Sequence, residues 1–151
     1  MEITSPAFSP GALIPPKHSC DGADVSPPLS FSGIPAGTRS LALISDDPDA
    51  PVGTWVHWVA WNLPADTRSL EDGVPKKETL ASGVKQGTND LGRAGYGGPC
   101  PPSGTHRYYF RLYALDTTLN LPVNATKKDL EKAMQGHILA QAELMGKYAR
   151  R

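Results

Sequence analysis

Apolar residues along the chain fall in short runs broken by proline, glycine and acidic turns, and three of these runs predict the main strands. Trp55-Val56-His57-Trp58-Val59-Ala60-Trp61-Asn62, between Gly53 and Pro64, is rich in aromatic and β-branched residues. A two-residue period sets Trp55, His57, Val59 and Trp61 on one face and Val56, Trp58 and Ala60 on the other. Both faces are apolar, as expected inside a sandwich. Residues 106–115 alternate in the same way, with His106, Tyr108, Phe110 and Leu112 opposed to Arg107, Tyr109, Arg111 and Tyr113. A third run, Ser40 to Ser45, predicts a buried strand that feeds Asp46-Asp47-Pro48-Asp49-Ala50-Pro51.

The remaining elements are weaker. Residues 3–10 predict a short edge strand, 11–28 a long ordered loop, and Leu29-Ser30-Phe31 a brief strand before a turn at Pro35-Ala36-Gly37. From Asp66 to Ser103 the chain is mostly turn-forming and is not expected to supply core. Residues 126–133 predict the one clear helix, with Thr126 as N-cap, Asp129 three residues on, an apolar stripe of Leu130, Ala133 and Met134, and Gly136 as its stop. Residues 138–148 are expected to hold a helix tail and then a final strand over 142–148. The sum is a single domain, 1–151, mainly β.

Composition narrows the function. The 151 residues carry 15 Lys+Arg against 15 Asp+Glu with no basic run, which argues against nucleic acid as a partner. No apolar stretch is long enough to span a bilayer, and residues 1–10 lack the basic and apolar regions of a signal peptide, so a soluble cytoplasmic protein is expected. Cys20 and Cys100 make no metal quartet; they are either free thiols or one pair.

Residues 46–51 hold three carboxylates and two prolines at a strand end. Proline has no backbone N–H and a fixed φ, so this segment is expected to leave the sheet as a stiff loop, suited to a turn or to a binding site. Asp46 is placed at the solvent-facing end of the strand. His57, alone on its face as a titratable group, reads either as a hydrogen-bonded core histidine or as a site residue; His106 and Tyr108 have the same two readings. Arg107 and Arg111 suit a solvated face or an ion pair, and Asp21 and Asp90 suit turns. His18 and His137 have no motif support.

Three blocks occur in order: Cys20-Asp21-Gly22 with Ser26-Pro27-Pro28-Leu29; Asp47-Pro48-Asp49-Ala50-Pro51 with Trp55-Val56-His57-Trp58; and Tyr96-Gly97-Gly98-Pro99-Cys100-Pro101-Pro102 with Gly104-Thr105-His106-Arg107-Tyr108. In these blocks, and over nearly its whole length, the chain resembles the phosphatidylethanolamine-binding proteins, also called Raf kinase inhibitor-like proteins, in their bacterial and archaeal branch. The resemblance implies a β-sandwich of two antiparallel Greek-key sheets with one or two short helices. It also implies a pocket for phosphate-like anions or phospholipid head groups, carried over here to Asp47, Asp49, Pro51, Trp55, His57, Gly98, Pro102, His106 and Tyr108. Eukaryotic members partly cover this pocket with a C-terminal extension; a chain stopping at Arg151 implies a more open mouth or one covered by another subunit, and the branch implies a homodimer.

The residue chemistry suits such a pocket. The histidines and Tyr108 offer donors, the Gly97-Gly98 loop offers backbone N–H groups, and Asp47 or Asp49 is expected to orient and charge a histidine. A carboxylate there also suits the ammonium of an ethanolamine head group. Three functions are consistent with this: a binding or regulatory module acting on a kinase or a protease, an interaction scaffold with a vestigial pocket, and an enzyme using His57, His106 and Asp47 or a Cys100 nucleophile. No nucleophile elbow, metal quartet or phosphate-transfer loop is present, so a binding protein without cofactor is expected.

Overall fold

In a computed structural model, which describes residues 1–150, the chain forms two antiparallel sheets and one short α-helix. The smaller sheet has the order β1-β2-β5, from β1 (Glu2–Thr4), β2 (Leu29–Ser32) and β5 (Ser69–Leu70). The larger has the order β6-β4-β3-β7-β8, from β3 (Ser40–Asp47), β4 (Trp55–Pro64), β6 (Lys85–Gln86), β7 (Thr105–Leu115) and β8 (Ile138–Ala149). Between the sheets lies the main core, where Ile3, Leu29 and Phe31 meet Leu41, Leu43, Trp58, Phe110 and Leu112. On the far side of the larger sheet, Ala42, Ile44, Val59 and Trp61 pack with Leu130 and Met134 of α1 (Lys127–Met134). The β7 alternation is as predicted, with Phe110 and Leu112 in one cluster and Tyr113 and Leu115 in the other.

The helix begins where its capping signal says. Thr126 accepts from the Asp129 N–H while the Asp129 carboxylate accepts from the Thr126 N–H, a reciprocal capping box. Past its end, Gly136 takes a φ of +80°, which suits glycine and stops the helix.

Four expectations are corrected. Asp46 and Asp47 stay in β3, paired with Val56 and Trp55, so the sheet ends at Pro48 rather than before the acids. Asp46 does not face solvent: it is fully buried, held by Arg111 at 3.0 Å and Lys127 at 2.7 Å. Residues 138–141 are not a helix tail, because their backbone pairs with β7 along the whole of β8. The turn-rich segment does supply core, since Tyr96 is buried in the main cluster with its hydroxyl donating to the His18 carbonyl.

The period-2 reading of β4 also fails at His57. Ser45 pairs with Trp58 but Asp46 pairs with Val56, so His57 is the extra residue of a β-bulge. The bulge takes His57 off the face shared by Val59 and Trp61 and turns it towards Tyr108 of β7.

Candidate functional site

The end of β3, the starts of β4 and β7 and two long loops enclose a cavity of about 480 Å³. Asp47 sits at its base, 3 % exposed, with both carboxylate oxygens engaged. One accepts from the Asp49 N–H at 2.7 Å, closing the loop after Pro48; the other accepts from the His106 Nδ1–H at 2.7 Å. Because a carboxylate only accepts here, the proton lies on Nδ1 and Nε2 is the ring nitrogen left for a ligand.

His57 is fixed by a parallel device. Its Nδ1–H donates to the Gly97 carbonyl at 2.6 Å, while the Gly97 N–H donates to the His57 carbonyl at 2.9 Å. Burial pushes the His57 imidazole below its ordinary pKa, against the Gly97 bond and the Asp47 charge, which act the other way. Its neutral form therefore presents a bare Nε2. Tyr108 stands between the two imidazoles, edge-on to His57 at 5.3 Å and stacked with His106 at 6.4 Å. Burial, reinforced by the charges of Asp47 and Asp49, holds the Tyr108 phenol far above its ordinary value, so its hydroxyl stays a donor.

Of the expected site residues, Asp47, Pro51, Trp55, His57, Gly98, Pro102, His106 and Tyr108 all line this cavity. Asp49 does not. It faces Arg107, whose guanidinium donates to both carboxylate oxygens at 2.8 and 2.9 Å and whose N–H adds a third bond. Those bonds hold Asp49 at a pKa of about 2. Only Asp47, of the two candidates, orients a histidine.

The glycine loop is also corrected. Gly97 N–H is spent on His57, and Gly98 N–H donates to the Asp24 carboxylate at 2.7 Å, so neither is an open anion donor. What Gly98 contributes is close approach: a Cβ there would lie 2.3 Å from the His18 carbonyl oxygen. His18 itself is buried, with Nδ1–H donating to the Val25 carbonyl, and Asp90 caps the Val56 N–H. His137 pairs with Asp116 at 2.8 Å on the surface.

Sequence reasoning missed several lining residues. Asp24 carries no pattern that separates it from turn formers such as Asp21. Leu91 and exposed Val52 did carry a signal, being large apolar residues in turn-rich, acidic surroundings; with Ala50, Pro51, Pro101 and Pro102 they form an apolar collar. Cys20 and Cys100 line the wall as a disulfide pair, which settles the alternative left open by their count. In that state Cys100 has no thiolate to offer as a nucleophile. No lining residue is a lysine or arginine. Among the described residues no cluster of His, Cys, Asp and Glu is grouped to hold a metal ion, and no helix is long and apolar enough to cross a membrane.

Comparison with known proteins agrees with this architecture. The chain is 53 % identical to the UPF0098 protein of Methanothermobacter thermautotrophicus, with 99 % of each chain covered. It is 50 % identical to the UPF0098 protein of Aquifex aeolicus, covering 99 % of this chain and 89 % of that one. Among solved structures, a proposed phosphatidylethanolamine-binding protein homologue from Chlamydia trachomatis superposes with a TM-score of 0.92 at 46 % identity, over 99 % of this chain and 97 % of that one. E. coli YbcL, described as a member of the mammalian family, gives a TM-score of 0.92 at 34 % identity, over 99 % and 98 %. With the family profile described as phosphatidylethanolamine-binding protein matching residues 4–149, the chain belongs to the phosphatidylethanolamine-binding protein family.

Proposed function

We propose that this protein is a binding module whose cavity takes a small anionic group, of the phosphate or phospholipid head-group kind, rather than an enzyme. The observation that carries the reading is the pair of imidazoles, His57 and His106, each anchored through Nδ1 and each left with Nε2 for a ligand, on either side of the Tyr108 hydroxyl. An anion needs donors, and neutral His57 has none to spare at Nε2. Binding must therefore bring a proton, taken up by the protein or carried by the ligand. The apolar collar suits an attached alkyl or side-chain group, and Asp47 and Asp24 suit the ammonium of a zwitterionic head group.

The test is calorimetry with phosphorylethanolamine in buffers of different ionisation heat. Affinity is expected to rise as pH falls from 8 towards 5.5, with about one proton taken up per ligand, and to drop about tenfold or more in His57→Ala and His106→Ala. Binding indifferent to pH and to both substitutions places the ligand elsewhere. The protein partner of such a module is proposed to be a kinase or a protease, in the cytoplasm, with a second copy of this chain across the open mouth. Cytosolic disulfides in mesophiles are transient or redox-sensing, so that location constrains what the Cys20–Cys100 bridge does there.

A further inference from the structure

The cavity wall contains the Cys20–Cys100 disulfide, and both half-cystines are exposed. Exposed disulfides have the more oxidising potentials and exchange with thiols, whereas a purely structural bridge resists reduction. This one joins loops 16–25 and 95–102, and it does not join them alone. Cys20 N–H donates to the Pro99 carbonyl at 3.1 Å, Gly98 N–H to Asp24 at 2.7 Å, and the Tyr96 hydroxyl to the His18 carbonyl at 2.7 Å. None of these bonds involves sulfur, so they persist when the S–S bond opens. Exposure makes the bridge reachable; the parallel bonds make its opening local.

We propose that Cys20–Cys100 is a thiol-exchange site, opened in the folded protein by a dithiol reductant, and that its reduction weakens anion binding in the adjoining cavity. The second half rests on the anion reading above. A thiolate of the dithiol attacks one Sγ, the Sγ–Sγ bond breaks, and the electron pair leaves on the other Sγ, which takes a proton from solvent. The second thiolate of the reductant then attacks the mixed disulfide. This frees the remaining cysteine and leaves the reductant as its own disulfide, so the protein gains two electrons and two protons. Both effects on the cavity have the same sign. A wall without its covalent tie loses preorganisation, and any thiolate formed there adds negative charge beside Asp24 and Asp47.

The wild-type protein is exposed to dithiothreitol under native conditions, and free thiols are trapped by alkylation and counted by mass spectrometry. Both cysteines are expected to label at a rate within about tenfold of that of guanidinium-denatured protein, with the circular dichroism unchanged. Reduction that proceeds only at the rate of global unfolding, or not at all, overturns the exchange site. Calorimetry with phosphorylethanolamine on the two redox forms is expected to give a Kd roughly threefold or more larger after reduction. A Cys20→Ala/Cys100→Ala protein is expected to show the part of that loss which comes from the wall alone. Equal affinities in the two forms overturn the coupling. An oxidised protein that does not bind phosphorylethanolamine overturns the anion reading and the coupling with it, while the alkylation rate still decides the exchange chemistry.

Discussion

His57 shows how little a residue type says before its neighbours are known. A histidine on an apolar strand fits a satisfied core group and a ligand group equally well, and here it is both: Nδ1 is satisfied by Gly97 and Nε2 is left for the cavity. Its burial has a thermodynamic consequence. The folded-state pKa lies below the unfolded value of about 6.5, so below that pH the unfolded chain takes up a proton that the folded one refuses. The stability is fully present above about pH 6.5 and declines as pH falls, by at most about 1.4 kcal/mol per pH unit for one group. Urea melts in non-phosphate buffers between pH 7.5 and 4.5 are expected to show that decline, and His57→Gln to flatten it. Asp49 acts in a different window. Its pKa is depressed to about 2, so its contribution is present above about pH 4 and is lost only as pH falls towards 2.

At the scale of elements, Asp46 is the residue whose role was hardest to read from the chain. It sits on β3, accepts from Arg111 on β7 and is reached by Lys127 in the first turn of α1, so one buried carboxylate ties three elements. Replacing it by asparagine leaves Lys127 without its counter-charge and Arg111 with only the more exposed Glu143, 2.8 Å away. Asp46→Asn is expected to cost about 2–4 kcal/mol, below the full range for a completely buried pair because Arg111 and Lys127 keep some solvent. A thermal or urea melt measures it, and a loss under about 1 kcal/mol would show the cations re-solvating freely. The strands β4 and β7 were legible because their aromatic and β-branched residues alternate, and α1 because its capping box is local. Two features were not. The bulge at His57 exists only as a mismatch against β3, and the first residues of β8 become strand only because β7 is long enough to pair with them.

Across the whole molecule, the disulfide closes a loop between residues 80 apart in sequence. In the chain-entropy account such a closure contributes about 4–5 kcal/mol by restricting the unfolded state. Urea unfolding with and without reductant is expected to differ by about that much while the native spectrum stays the same. A difference near zero would mean that the reduced unfolded chain is already constrained.

By itself, the sequence determined a mainly β chain, its three central strands β3, β4 and β7, its helix and, through the resemblance of its motif blocks to the family, eight residues that line one cavity. These follow from alternation, local capping and short motif blocks, all of which act over a few residues. Only the tertiary structure decided which carboxylate serves which partner: Asp47 for His106, Asp49 for Arg107, Asp46 for Arg111 and Lys127. It also decided that Asp24 takes the glycine N–H and that Cys20 meets Cys100. A side chain's charge is written in the chain, but its partner is set by strand register and loop packing between segments far apart in sequence.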